Sequence, residues 1–173
     1  MSSLPAIKDG KFYVSKSPKC APDGNGCFAR CAIKPHEIIC TFEGKIYTLR
    51  DMMQRISSSL TRTVDDPLEI EAGLFMDIEA PFINFNHSCE PNAVLKNKCD
   101  LVAIRNIEPD EEITFDYSSA VPVDGLWIMS QKCMCGAERC RKTIGNITTI
   151  PKSQLDRYLE YGVQDFIRKQ LKL

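Results

Sequence analysis

Three closely spaced cysteines constrain the fold of this chain more than any other feature. They lie in the segment Cys133-Met134-Cys135-Gly136-Ala137-Glu138-Arg139-Cys140, where a glycine allows the loop to fold back. Three thiols in such a segment can supply three ligands of a tetrahedral zinc ion, with bonds to sulfur of about 2.3 Å. Close cysteines are poor disulfide partners in a reducing compartment, so the pattern favours a metal site over unliganded thiols.

The other cysteines include the candidates for a fourth ligand. Four of them lie in or beside predicted apolar strands, where a free cysteine behaves as a small buried hydrophobe; these are Cys27, Cys31, Cys40 and Cys99. Cys20 and Cys89 lie in predicted loops. Cys89 is the favoured ligand, because it would join its own loop to the distant cysteine segment.

Composition narrows the class of protein and its location. With 173 residues, 43% of them hydrophobic, the chain is long enough for one domain with a real core. Its 22 basic and 23 acidic residues give no overall positive charge to attract nucleic acid or an anionic membrane. No apolar run is long enough to span a bilayer, and residues 1–11 lack the apolar core of a signal peptide. We therefore expect a reducing, intracellular location, nuclear or cytoplasmic, and no membrane partner.

The loop that carries Cys89 is a candidate functional site. It reads Asn84-Phe85-Asn86-His87-Ser88-Cys89-Glu90-Pro91-Asn92 and follows the apolar Pro81-Phe82-Ile83. Asn, Ser and Pro favour turns. A loop this rich in functional side chains between hydrophobic segments is typical of a binding or catalytic site.

Short strands dominate the predicted first third of the chain. They cover residues 11–14, 27–29 and 38–42, with residues 45–47 as the hairpin partner of the last. The glycines of Gly24-Asn25-Gly26 permit positive φ and close approach of a ligand, although alone they indicate a hairpin turn.

Helical and strand patterns alternate after residue 47. Thr48 and Asp51 match a capping box, and a helix is expected to about Ser57 with Leu49, Met52, Met53 and Ile56 on its core face. Strands are expected within residues 68–77, with a turn at Gly73, and at 101–104 and 111–117. Residues 152–173 have a helical pattern that breaks at Gly162 and whose apolar face fits either a cap on the candidate site or a dimer contact.

Several motifs in this order resemble a known family. They are Asn86-His87-Ser88-Cys89-Glu90-Pro91-Asn92, then Glu112-Ile113-Thr114-Phe115-Asp116-Tyr117, then Cys-x-Cys-x4-Cys followed by Arg141. Together they resemble a SET-domain protein lysine methyltransferase with a post-SET zinc-binding segment. The similarity extends forward to Gly24-Asn25-Gly26-Cys27-Phe28-Ala29 and Phe42-Glu43-Gly44 and covers residues 11–146. It changes the interpretation of the Gly-x-Gly segment from a turn to a cofactor loop.

The resemblance implies a fold and a division into domains. The expected fold is mainly β with short helices: small curved β-sheets with a C-terminal pseudoknot, then a zinc knuckle and C-terminal helices. The SET domain would cover residues 8–120, with a variable insert at 48–80. The post-SET segment would cover 121–146, and a helical extension 147–173.

The resemblance also implies an activity and the residues that serve it. The activity is transfer of a methyl group from S-adenosylmethionine to the ε-amine of a protein lysine, for example in a histone tail. Tyr117 would be the catalytic tyrosine and would line the lysine channel with Phe42 and Phe115. Cofactor contacts are expected from Gly24, Asn25, Gly26, Cys27, Asn86, His87, Tyr117 and Ile144. One structural Zn²⁺ is expected on Cys89, Cys133, Cys135 and Cys140.

Some assignments keep an alternative. His87 can be a loop histidine or a metal ligand instead, and Ile144 can be an ordinary core residue. Phe42 replaces a tyrosine common in relatives, and Phe115 has no hydroxyl to anchor a water, so di- or trimethylation is expected. Acidic residues flank the predicted peptide groove and suit a basic peptide, although a solvated charged face explains them equally; they are Glu43, Asp65, Asp66, Glu69, Glu71, Asp77 and Glu79.

Two other interpretations remain. One is a catalytically weak, zinc-stabilised SET module that acts as a peptide or protein interaction domain. The other is a nucleic-acid binder built on the cysteine knuckle, which the balanced charge and the absence of interleaved aromatic residues disfavour. The sequence does not determine the oligomeric state.

Overall fold

The protein is mainly β with short helices, as predicted. The structure, a computed structural model, describes residues 10–18, 24–58, 67–123 and 131–173. Cys20, Asp65 and Asp66 lie outside these ranges. The strands are β1 (Phe12–Lys16), β2 (Asn25–Ala29), β3 (Ile38–Thr41), β4 (Gly44–Thr48), β5 (Pro67–Glu71), β6 (Leu74–Ile78), β7 (Asn86–His87), β8 (Ala93–Lys96), β9 (Asp100–Ala103), β10 (Glu112–Phe115), β11 (Gln131–Lys132) and β12 (Thr143–Ile144). The α-helices are α1 (Leu49–Ser57), α2 (Lys152–Tyr161) and α3 (Asp165–Gln170).

Strand β10 occupies the centre of the main sheet. The order of the sheet is β1-β2-β10-β8-β9-β3, and β7 also pairs with β10. β10 runs antiparallel to β2, with Ile113 opposite Cys27, and parallel to β7, with Thr114 opposite Asn86. All four of its residues are buried. β10 thus brings the glycine motif, the 84–92 loop and Tyr117 into one place.

The predicted hairpin between residues 38–42 and 45–47 is wrong. β3 pairs with β9 in the main sheet, whereas β4 pairs with β6 in a separate sheet of order β4-β6-β5. At Gly44 the backbones of β4 and β6 come so close that an added Cβ would lie 2.2 Å from the Asp77 carbonyl oxygen. Sequence periodicity shows that a segment is a strand but not which strand it pairs with. The prediction paired each strand with the next one along the chain, and for β3 and β4 this is not the observed pairing.

The predicted N-cap of helix α1 is confirmed. Thr48 is the N-cap, its hydroxyl oxygen accepts the Asp51 N–H at 3.3 Å, and the helix ends at Ser57. Met52 is buried, but Met53 is 47% exposed, so its predicted place in the core is wrong. Successive helical residues lie about 100° apart, and a helix on one face of a small sheet buries only a narrow stripe.

Helices α2 and α3 pack against the main sheet. The chain breaks between them at Gly162, whose φ is 107°, as the sequence predicts. Their apolar side chains cover Val94 and Ile104; they are Tyr158, Val163, Phe166 and Ile167. The face that the sequence left open between a site cap and a dimer contact is therefore buried within the chain. Among the residues described, no helix is both long and apolar enough to cross a membrane.

Candidate functional site

Tyr117 lies at the end of β10 within a group of aromatic rings. It begins a 3-10 helix, Tyr117–Ala120, and its hydroxyl donates to the Phe85 carbonyl at 2.8 Å. Its ring centroid lies 4.9 Å from Phe115 and 5.4 Å from His87. Phe42 meets Phe115 edge-on at 5.9 Å. The structure thus brings the three predicted channel residues, Phe42, Phe115 and Tyr117, into one apolar group.

Asn86 connects β7 to the glycine motif. Its amide nitrogen donates to the Asn25 carbonyl at 2.9 Å and to Glu112 Oε1 at 2.8 Å. Ser17 donates its hydroxyl to the same Glu112 oxygen at 2.7 Å. Sequence reasoning missed Ser17 and gave Glu112 no role. The available signal for Glu112 was a carboxylate in the run Glu112-Ile113-Thr114-Phe115, which is otherwise typical of a buried strand.

Gly26 is required by close packing. The glycine motif predicts a turn with positive φ, but Asn25 and Gly26 lie inside the extended strand β2. An added Cβ at Gly26 would lie 2.4 Å from Glu112 Oε1 and 2.9 Å from Ser17 Cβ. The motif therefore lets the backbone approach buried side chains closely. The Gly24 carbonyl accepts the Ser17 N–H at 3.1 Å and so closes the same group.

Cys27 is buried beside this group, and Ile144 is buried beside Tyr117. Burial raises the pKa of the Cys27 thiol far above its usual range, which makes it unreactive. Its side chain belongs to the core, so any contact with a cofactor falls to its main chain. Ile144 packs in an apolar cluster with Cys89, Cys133 and Cys135, and Tyr117 borders that cluster.

The 84–92 loop is attached to β10 along its length. Asn92 accepts the Thr114 N–H at 2.9 Å and donates to the Glu112 carbonyl at 2.9 Å. The Ser88 N–H donates to the Phe115 carbonyl at 3.1 Å. A loop whose side chains and backbone both bond to a central strand has a well-defined shape.

Three of the four predicted metal ligands, Cys89, Cys133 and Cys135, converge from distant parts of the chain, and His87 rather than Cys140 completes their group. Cys89 Sγ lies 3.7 Å from Cys133 Sγ, and the Cys89 N–H points at Cys135 Sγ at 3.5 Å. The ligand atoms of His87, Cys89, Cys133 and Cys135 all lie within 4.8 Å of one another. Cys140 packs against this group, with its sulfur 3.9 Å from the Cys133 carbonyl oxygen.

The protonation of the thiols fits a zinc site. Burial raises the pKa of Cys135, but N–H groups of Cys89 and Ala137 and the neighbouring thiols outweigh it and bring the pKa to about 7. Burial raises the pKa of Cys89 to about 11. One thiol is thus ready to ionise, and a bound Zn²⁺ would displace the other protons. Soft, clustered sulfur donors are the ligands that structural zinc prefers.

The hydrogen bonds of His87 decide its tautomer. The Tyr117 N–H donates to His87 Nδ1 at 3.1 Å, and Nε2 lies 3.3 Å from Cys89 Sγ. Burial lowers the pKa of His87 to about 4, so the ring is neutral. Since Nδ1 accepts, the single ring proton lies on Nε2 and points at the sulfur. Ligation of a metal through Nε2 would require the ring proton on Nδ1, where it would meet the Tyr117 N–H, and this favours Cys140 over His87 as the fourth ligand.

Asp116 joins the tyrosine segment to the cysteine segment. Its carboxylate accepts both nitrogens of the Arg141 guanidinium, at 2.8 and 2.7 Å, and caps the 3-10 helix through the Ser118 N–H at 3.0 Å. Sequence reasoning noted Arg141 as the residue after Cys140 and as part of a small basic cluster, but not as a partner of Asp116. An acidic residue beside a site tyrosine and a basic residue beside a ligand cysteine were the only signals for this pair.

Comparisons of sequence agree with this geometry. The SET domain family model matches residues 24–118. Histone-lysine N-methyltransferase ash1 of Drosophila melanogaster is 31% identical over 72% of this chain, and mes-4 of Caenorhabditis elegans is 32% identical over 70%. The matched regions make up 6% and 16% of those two proteins, so this chain corresponds to a small part of each relative.

Comparisons of structure show the same fold. The methyltransferase domain of human SETMAR superposes with a TM-score of 0.59 at 21% identity, covering 80% of this chain and 60% of that one. The autoinhibited ctPRC2 structure bound to S-adenosylmethionine gives 0.56 at 20% identity, covering 66% of this chain and 16% of that one. With the family match spanning more than half of the residues, these findings confirm the predicted fold, and the chain belongs to the SET domain family.

Proposed function

We propose that this protein transfers a methyl group from S-adenosylmethionine to the ε-amine of a protein lysine. The observation that carries the proposal is the Tyr117 hydroxyl, which is held against the Phe85 carbonyl beside Phe115 and His87. The matched relatives are named histone-lysine N-methyltransferases, and one structural neighbour is bound to S-adenosylmethionine. Both support this reaction for the chain.

The apolar channel would prepare the lysine for attack. The pKa of a free lysine is about 10.4, so the amine must lose a proton before it can act as a nucleophile. The rings of Phe42 and Phe115 disfavour the charged ammonium form. Tyr117 would orient the neutral amine, and alignment of two reactants lowers a barrier by several kcal/mol without a dedicated base.

The opposite side of Tyr117 would hold the cofactor. Bound S-adenosylmethionine supplies the electrophilic methyl group. The backbone of residues 24–27 and the side chain of Asn86 would hold its amino-acid end, and the Glu112 carboxylate bonded to Asn86 would favour its ammonium group. His87, through its main chain, and Ile144 would line the adenine side. Tyr117, between the two sides, would contact both substrates.

Zinc would join two parts of the site. We assign it to Cys89, Cys133, Cys135 and Cys140, since His87 Nδ1 accepts the Tyr117 N–H and cannot then carry the proton that ligation through Nε2 requires. A zinc ion there would tie the 84–92 loop to the cysteine segment beside Ile144. Its role would be structural, since four thiolates leave no open position for substrate.

A basic tail such as that of a histone is the proposed substrate. The acidic surface that would attract it is smaller than predicted, because Glu69 and Asp77 are buried and Asp77 pairs with Arg55. Glu43, Glu71 and Glu79 remain exposed near the second sheet. A nuclear location follows if histones are the substrate. The phenylalanines at 42 and 115 favour a di- or trimethylated product.

Two measurements test this proposal. Calorimetry should show S-adenosylmethionine binding to the wild type and weaker binding to Asn86→Ala. Labelled methyl transfer to core histones should be lost in Tyr117→Phe, and product mass should show more than one methyl group. Binding without transfer would support the interaction-module alternative, and absence of binding would overturn the enzyme proposal.

Metal analysis tests the ligand set. We expect one zinc per chain, lost in Cys89→Ser and Cys140→Ser but retained in His87→Ala. Zinc that survives in Cys140→Ser and disappears in His87→Ala would replace Cys140 with His87. Unchanged zinc in Cys89→Ser would remove the proposed link between the loop and the cysteine segment.

A further inference from the structure

Helix α2 presents two polar side chains to the site through an otherwise apolar face. Tyr158 is 1% exposed and packs with Val94 and Ile104 on the main sheet. Gln154 lies one turn earlier on the same helix. Their polar atoms extend beyond the apolar cluster. They contact the 84–92 loop and Asp116, which are parts of the candidate site.

The two side chains form a single chain of hydrogen bonds between the Cys89 carbonyl and Asp116. The Gln154 amide group donates one hydrogen to the Cys89 carbonyl and the other to the Tyr158 hydroxyl. Tyr158 in turn donates to Asp116 Oδ2 at 3.1 Å. Donors and acceptors match at every step, with no hydrogen left over. One face of α2 thus bonds to the loop of the proposed zinc ligand and to the residue before Tyr117.

Tyr158 completes the set of donors around a buried charge. Asp116 has a side chain with 0% exposure, and its two oxygens already accept Arg141 and the Ser118 N–H. Tyr158 adds a fourth hydrogen bond, on the oxygen that otherwise accepts Arg141 alone. Burial and the adjacent carboxylate raise the pKa of Tyr158 well above its usual range. The hydroxyl therefore stays protonated and continues to donate.

We propose that Tyr158 and Gln154 are positioning residues, and that helix α2 shapes the proposed active site through them. By bonding to Asp116 and to the Cys89 carbonyl, they set the position of Tyr117 relative to the 84–92 loop. Tyr158 packs in the apolar cluster of α2 and α3, whereas Tyr117 borders the clusters of the main core and of the cysteine segment. Their effect passes through Asp116 and Cys89, and its catalytic part depends on the methyltransferase function proposed above.

Removal of one hydroxyl tests this inference. Tyr158→Phe keeps the ring in its apolar cluster and deletes only the bond to Asp116 and the acceptor for Gln154. Tyr161→Phe is the matched control, since Tyr161 lies on the same helix and stacks on His36 at 4.5 Å, away from the site. Assays would be run well below the unfolding midpoint of each variant, so that all are equally folded.

The expected result is a selective loss of turnover. Because a displacement of about 1 Å can cost on the order of 100-fold in rate, we expect kcat to fall about tenfold or more in Tyr158→Phe, with little change in KM for the peptide. Gln154→Leu should show a smaller fall in the same direction. A kcat in Tyr158→Phe within twofold of Tyr161→Phe would overturn the inference, even if the variant unfolded at a lower temperature.

Hydrogen exchange separates this inference from the proposed function. Amides of residues 86–89 and 114–118 should exchange about tenfold faster in Tyr158→Phe than in Tyr161→Phe, while amides of β4–β6 stay unchanged. If the wild type neither bound S-adenosylmethionine nor transferred methyl, the proposed function would fail, yet this exchange pattern would still support the positioning role. Equal exchange in both variants would refute it.

Discussion

The two ends of β10 each carry a buried acidic residue, and the two are stabilised in different ways. Asp116, just after the strand, accepts a guanidinium, a backbone N–H and the Tyr158 hydroxyl. Glu112, at its start, accepts hydrogen bonds from the neutral side chains of Ser17 and Asn86. One carboxylate is therefore part of an ion pair, and the other accepts hydrogen bonds from Ser17 and Asn86 beside the proposed cofactor position.

We expect this difference to separate a structural end from the proposed ligand-binding end. A buried ion pair is costly to break, because removal of one partner leaves an uncompensated charge. Glu112 lies beside the proposed position of the cofactor ammonium group, and a nearby carboxylate favours a positive charge. We therefore expect changes near Asp116 to affect stability first, and changes near Glu112 to affect cofactor affinity first.

Arg141→Met should have the largest effect on stability. It leaves the Asp116 carboxylate buried without its cation, and loss of one partner of a buried pair costs about 3–5 kcal/mol. Urea unfolding of the zinc-loaded protein would measure this change in the free energy of unfolding.

Arg139→Met is the control for that change. Arg139 also lies in the cysteine segment, but its side chain is 87% exposed and lies 3.8 Å from Glu90. An exposed pair contributes about 0–1 kcal/mol, so this variant should unfold almost as the wild type does. Equal losses in the two variants would show that the Asp116 end is not a special structural element.

Gly26→Ala should have an intermediate effect, at the Glu112 end. Its new Cβ would overlap Glu112 Oε1, and overpacking costs about 1–3 kcal/mol. Displacement of Glu112 should also shift Asn86 and weaken binding of S-adenosylmethionine, measured by calorimetry.

Gly73→Ala, with φ at 75° and no atom within 4 Å of the new Cβ, is the control for backbone strain. It should lose about 1–2 kcal/mol without a change in affinity, and similar affinities in both variants would contradict the close-packing role of Gly26.

Local patterns in the sequence predicted local structure well. The helix cap at Thr48, the turn at Gly73 and the break at Gly162 appear as expected, because each depends on the conformational preference of one or two residues. The partner of β4 and the exposure of Met53 were predicted wrongly. Both depend on which surfaces meet after the chain folds, and residue spacing does not encode that.

The same division between local motifs and tertiary contacts applies to the candidate site. Family motifs pointed to Asn86, Tyr117 and the cysteines, which the structure brings together. Ser17, Gln154 and Tyr158 were not predicted as site residues, because no motif marks a hydroxyl or amide that reaches a site from another element. Tyr158 also fits the apolar helical pattern, which concealed its polar role.

Glu112→Gln should have the smallest effect on stability and a clear effect on binding. The glutamine side-chain oxygen can still accept from Ser17 and Asn86, and exchange of charged for neutral hydrogen bonds should cost about 1 kcal/mol. Loss of the negative charge beside Asn86 should weaken S-adenosylmethionine binding by about tenfold, which corresponds to about 1.4 kcal/mol. Glu90→Gln makes the same chemical change at a site whose side chain is 42% exposed, and it should leave the affinity unchanged. If Glu112→Gln bound the cofactor as tightly as Glu90→Gln but unfolded as readily as Arg141→Met, both ends of β10 would be structural and the proposed contrast between them would be wrong.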